Sequence, residues 1–133
     1  MKVVKQMAAY VIYDIPHVWN NWTQDLMVDA DDTIIVGTPD LYNLRDGKNL
    51  IEFLSPHRGV DAPTHLVLNR VGEVKKGEIT EKEFREVLAM SPTASIPYEP
   101  DIFISALNNG EMIRKTSARS KSARASEGLS RWK

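Results

Sequence analysis

Three uninterrupted runs of β-prone apolar residues, each closed by a proline or a glycine, constrain this chain more than any other feature. Ala8-Ala9-Tyr10-Val11-Ile12-Tyr13-Asp14 runs up to Pro16, Thr33-Ile34-Ile35-Val36-Gly37-Thr38 up to Pro39, and His65-Leu66-Val67-Leu68-Asn69 towards Gly72. A strand with one wet face alternates apolar and polar residues. A strand apolar at every position needs cover on both faces, which parallel sheets receive from their crossover helices. The segments between the runs supply such helices. Trp19, Trp22 and Leu26 recur at helical spacing, and Asp40 stands where it can cap a helix carrying Leu41, Leu44, Ile51 and Leu54. Thr80-Glu81-Lys82-Glu83 has the spacing of a capping box ahead of Phe84, Val87 and Leu88. Asp101 starts a further helix with Phe103, Ala106 and Leu107, broken at Asn108-Asn109-Gly110. Residues 94–97 read as a short edge strand ended by Pro97. The alternation predicts an α/β fold, a mostly parallel sheet of three strands and a short fourth with helices on both faces.

Composition narrows the chemistry. With 133 residues the chain has the size of one domain. It holds no cysteine, which removes disulfides, thiolate metal sites and cysteine nucleophiles. It has no apolar run near the ~18 residues of a membrane-spanning helix. A net charge of −1 conceals a division: 10 basic and 17 acidic residues through Ile113, then 7 basic residues and one acid, Glu127, from Arg114 onward. The chain therefore reads as a body over residues 1–116 and a basic tail or helix over residues 117–133. Such a tail either keeps a helix face solvated or contacts a membrane surface, a nucleic acid or a partner protein. As a helix it would carry only a thin apolar face of Ala118, Ala125, Leu129 and Trp132, a poor membrane anchor.

Two motif-like stretches fail on their chemistry. Gly77 to Phe84 resembles the second half of a calcium-binding loop, but the first, third and fifth ligand positions fall on Gly72, Val74 and Lys76, which carry no carboxylate. Gly47-Lys48 lacks the partner glycine and the Ser/Thr of a phosphate-binding loop, so Gly47 reads as a close-packing position on a helix. His17, His57 and His65 are scattered without ligand spacing. His17 follows a predicted strand end, where ligands collect in open α/β sheets. Asp14, at the tip of an apolar run and before Pro16, is either a turn starter or an acid placed beside a metal ion.

Read in order, these segments resemble the C-terminal part of the MinD/ParA superfamily of P-loop ATPases, and most closely its CpaE/TadZ-type branch in pilus assembly by Tad/Flp secretion. The residues that carry the resemblance are Tyr10 through Trp19, Thr38-Pro39-Asp40-Leu41 with Leu44-Arg45-Asp46, Leu66-Val67-Leu68-Asn69-Arg70, Ser95-Ile96-Pro97-Tyr98, and Phe103 through Ile113. They span about residues 8 to 116. The resemblance implies a partial three-layer α/β/α P-loop-type domain without the half that carries the Walker A loop. It implies ATP and Mg²⁺ as cofactors, Asp14 as the acid that holds Mg²⁺ through water, and Asn69, Arg70, Pro97 and Tyr98 as the residues around the adenine. Ile15-Pro16-His17-Val18 falls at the switch segment, where His17-Val18 replaces the glycine of MinD-type proteins. The Gly-rich, two-lysine phosphate loop is not in this sequence, so the chain reads as a fragment expected neither to hydrolyse ATP nor to bind it tightly. Implied partners are proteins of the pilus secretion machinery and a second copy of the chain, in the cytoplasm or at the inner membrane of a cell pole. The alternative is a non-enzymatic interaction module.

Overall fold

The computed structural model describes residues 6–131. Its elements are α1 (Asn21–Asp29), β1 (Thr33–Gly37), α2 (Leu41–Leu54), β2 (Thr64–Val71), α3 (Glu81–Leu88), β3 (Ala94–Pro97), α4 (Pro100–Asn109), α5 (Ile113–Thr116) and α6 (Lys121–Ser130). The three strands form one parallel sheet in the order β1-β2-β3, with Ile35 beside Leu66 and Val36 beside Val67. Leu66, Val67 and Leu68 are all buried, so both faces of the central strand are covered, as a run apolar at every position requires. On one face Ile35, Leu66 and Leu68 pack with Leu44 and Leu54 of α2 and with Phe84 and Leu88 of α3.

Local signals place the helix starts. The Asp40 carboxylate accepts the Asn43 amide at 2.8 Å and begins α2. Thr80 and Glu83 form the reciprocal capping box that begins α3. Helix α1 starts two residues after Trp19, because Asn20 and Thr23 make a capping box there. Helix α4 starts at Pro100, whose fixed φ suits a first helical position, so Asp101 lies in its first turn. It ends at Gly110, with φ of 64°. Gly47 is buried between α2 and α3, but a Cβ there would meet only Leu88 Cδ1 at 3.8 Å, ordinary contact rather than a forced close approach.

The first predicted strand is corrected. Residues 8–14 pair with no strand, and Tyr10 and Ile12 are 83% and 93% exposed. A strand needs a neighbour to satisfy its backbone donors and acceptors. In the order β1-β2-β3 the inner strand is β2, and the outer edge of β1 carries no strand among the described residues. Residues 94–97, expected as an extra edge strand, are the third member of the sheet. The second face is also open over β1, where Ile34 is 43% and Val36 59% exposed. The basic segment is no loose tail: α6 packs on β3, with Ser122 and Ala123 buried. Trp132 and Lys133 lie outside the described residues.

Arg58 fastens α1 to this sheet. Its guanidinium donates to the carbonyls of Met27 at 2.5 Å and Ala30 at 2.8 Å at the end of α1, and to Asp31 and Pro63 at 3.2 Å. Its Nε donates to Ala62 at 3.0 Å. A planar fork of donors matches several convergent carbonyls, and a lysine cannot reproduce it. Arg58→Ala is expected to lower unfolding stability by roughly 1.5–3 kcal/mol, the range for hydrogen bonds to a charged group. Arg58→Lys should restore less than half of that in urea titrations.

Candidate nucleotide-base edge

Parallel strands bring all their carboxyl ends to one edge, and in open α/β sheets ligands collect there. At this edge stand Thr38 and Asp40 after β1, Asn69 and Arg70 among the last residues of β2, and Pro97 and Tyr98 at the end of β3. The pairing of β2 with β3 is irregular between Leu68 and Val71: Leu68 faces Ser95 and Val71 faces Pro97, so β2 carries an extra residue. Arg70, within that bulge, adopts φ of 58°, a left-handed conformation that costs a non-glycine residue about 1 kcal/mol or more. Bulges turn side chains out of the pleat and recur beside functional sites.

Local contacts hold the bulge. Asn69 Oδ1 accepts the Arg70 amide at 2.9 Å, and the Arg70 carbonyl accepts the Glu73 amide at 3.2 Å. The Arg70 guanidinium pairs with the Glu73 carboxylate and lies 5.5 Å from the centre of the Tyr98 ring, a cation–π arrangement. The Tyr98 amide donates to the Val71 carbonyl at 2.9 Å. Beyond the bulge the Glu78 carboxylate accepts the amides of Gly72 at 3.0 Å and Val74 at 2.9 Å, closing the loop on itself. The Ile79 amide donates to the Pro39 carbonyl at 2.9 Å and pins that loop against the end of β1. There Thr38 Oγ1 donates to Asp40 at 2.5 Å, and Asn43 Nδ2 bonds both at 2.8 Å.

Four of the five residues the resemblance singles out, Asn69, Arg70, Pro97 and Tyr98, thus come together at one edge. Asp14 does not join them at a strand tip: it is exposed in the unpaired stretch before α1. His17, three residues on, lies 3.7 Å from Asp46 of α2, and Trp19 meets Phe53 edge to face at 4.9 Å, so this stretch rests on α2. Glu73, Glu78 and Glu99 shape the edge and carry no motif. Only Gly72 and Gly77, with φ of 86° and 93°, mark the loop in the sequence. A groove of about 500 Å³ lined by Phe103, Leu107, Met112 and Ala123 lies among α4, α5 and α6 and shares no residue with the edge.

The residues present suit one part of a magnesium nucleotide. A purine offers a flat face and a donor–acceptor edge; Arg70 and Tyr98 offer planar groups and Asn69 a side-chain amide. The phosphates find no glycine-rich loop in this sequence. Among the described residues no group of three or more His, Asp or Glu converges to hold a metal.

No family profile matches the chain. It is 28% identical over 122 residues to the septum site-determining protein MinD of Helicobacter pylori, covering 86% of this chain and 45% of that protein. It is 30% identical over 113 residues to MinD of Bacillus subtilis, covering 83% of this chain and 41% of that protein. The chain spans less than half the length of these curated relatives. Among solved structures, MinD of Pyrococcus horikoshii in complex with Mg-ADP superposes with a TM-score of 0.78 at 21% identity, covering 96% of this chain and 52% of that one.

Hydrogen bonds set the charges at this edge. Burial would raise the Asp40 carboxyl, but bonds from Thr38 and Asn43 outweigh it and hold it below the usual carboxylate range. Hydrogen bonding from Ser122 does the same for Glu99, which follows Tyr98. A carboxylate depressed on folding contributes stability above its unfolded value and loses it as pH falls through the folded one. Urea stability is expected to hold from about pH 7 to about pH 5 and to fall below about pH 4.5, near ordinary carboxylate values. The double variant Asp40→Asn, Glu99→Gln should flatten that fall. The chain has the α/β fold of MinD/ParA-type proteins over its described residues and is similar in sequence to MinD proteins over most of its length.

Proposed function

We propose that this chain is the base-binding half of a MinD/ParA-like nucleotide site, in a protein that works in pilus assembly and polar localisation of the CpaE/TadZ kind. The observation that carries the reading is the Arg70–Tyr98 contact, 5.5 Å from cation to ring, at a strained bulge where β2 and β3 end. A conformation that costs free energy persists at that point because neighbouring groups fix it, and it turns Arg70 towards the edge. The MinD relatives and the Mg-ADP complex of the P. horikoshii protein support a nucleotide as the ligand. In this reading Asn69 meets the edge of the adenine, Arg70, Pro97 and Tyr98 wall its face, and Asp14 serves Mg²⁺ once its segment is held in a sheet. The partners are proteins of the pilus secretion machinery and a second copy, at the inner face of the membrane near a pole.

The reading assigns this chain no turnover by itself. Hydrolysis needs convergent amides and a lysine around the phosphates, and this sequence lacks that loop. Purified chain with ATP and Mg²⁺ is expected to release phosphate at the rate of the buffer blank. Turnover that depends on Mg²⁺ and is lost in Asp14→Asn would contradict the proposal.

One observation favours a second reading, a protein-interaction module without nucleotide. The exposed Ile34 and Val36 on the open face of β1 form an apolar surface beside a strand edge that is unpaired among the described residues.

A further inference from the structure

The N-terminus of the basic helix α6 is fastened to the segment that carries Tyr98. The Glu99 carboxylate accepts the Ser122 amide at 2.7 Å, and the Ser122 hydroxyl donates to the Pro97 carbonyl at 3.0 Å. Ser122 is fully buried in this contact, and Ser120 caps the same helix through the Ala123 amide at 3.1 Å. Pro97 and Glu99 flank Tyr98 on either side. Tyr98 is in turn tied to β2 by its amide on the Val71 carbonyl and by the Arg70 guanidinium over its ring. A continuous path of hydrogen bonds and packing therefore runs from α6 through Ser122, Glu99 and Tyr98 to the bulge at Arg70. The outer face of α6 carries the exposed cations Lys121 and Arg124.

We infer that Glu99 is a positioning residue that couples docking of the C-terminal basic helix to the placement of Tyr98. Glu99 satisfies an amide at the start of α6 that has no partner within the helix, and its negative charge favours that positive helix end. Because the same residue is covalently next to Tyr98, undocking α6 releases both chain neighbours of Tyr98, Pro97 and Glu99. Coupling of this kind is reciprocal: whatever fixes Tyr98 against Arg70 also favours the docked helix. A ligand at the edge and a partner drawing on Lys121 and Arg124 would then influence one another through Glu99. The functional meaning rests on Tyr98 belonging to the nucleotide edge; the coupling itself does not.

Hydrogen exchange followed by mass spectrometry on the full chain, without ligand, tests it. Glu99→Ala, which removes the acceptor, is expected to raise exchange about fivefold to tenfold, the scale of a lost helix cap, over residues 121–130 and equally over residues 96–99. Ser122→Ala, which keeps the amide contact and removes the hydroxyl, should raise both segments by less. Arg124→Ala, on the exposed face, should leave both unchanged. Faster exchange in α6 with residues 96–99 unaltered would reduce Glu99 to a local cap and overturn the coupling, as would no change in either segment. Failure of nucleotide to bind would overturn the base-edge reading and leave this result standing.

Discussion

The pairing of β2 on both its sides is the constraint on which the rest of this structure depends. Leu66, Val67 and Leu68 can be buried together only if a strand lies on each side and cover lies on each face. That requirement draws α2 and α3 onto one face and fixes the parallel register, and the register delivers three carboxyl ends to one edge. Arg58 adds the remaining piece by holding the end of α1 against the turn into β2. The proposed base edge lies where the pairing breaks. The extra residue between Leu68 and Val71 ends the regular ladder and puts Arg70 into a conformation that only its neighbours sustain.

The edge and the basic helix belong to one arrangement. Tyr98 is held from β2 by Val71 and Arg70, and its neighbours Pro97 and Glu99 are held by Ser122. The acidic body and the basic tail visible in the charge distribution are therefore joined at the residues the nucleotide reading uses. Glu127 of α6 pairs with Arg114 of α5 and with Arg131 just past the helix end, which leaves Lys121 and Arg124 as the exposed cations of α6.

Much of this was legible before the fold was known. Continuous apolar runs marked β1 and β2, and Asp40, Thr80 and Gly110 marked helix ends, because capping chemistry is local. The grouping of Asn69 and Arg70 with Pro97 and Tyr98 came from the order of the segments in a family resemblance. Residues 8–14 misled because their composition suits a strand, while strand formation depends on a neighbour that local sequence does not reveal. The bulge at Arg70 was hidden for a similar reason: a positive φ at arginine is imposed by cross-strand register. Glu73, Glu78 and Glu99 carry no motif; the first two find partners within their own loop, and Glu99 finds Ser122 only through tertiary placement.

The central claim is that the edge formed by Asn69, Arg70 and Tyr98 recognises a purine base. Titration of isotopically labelled chain with adenosine, followed by amide chemical shifts, tests it most directly because adenosine needs neither a phosphate loop nor a metal. The account predicts saturable shifts centred on residues 69–71 and 97–99, lost in the double variant Arg70→Ala, Tyr98→Ala. Shifts centred elsewhere, or none at millimolar adenosine, would contradict it.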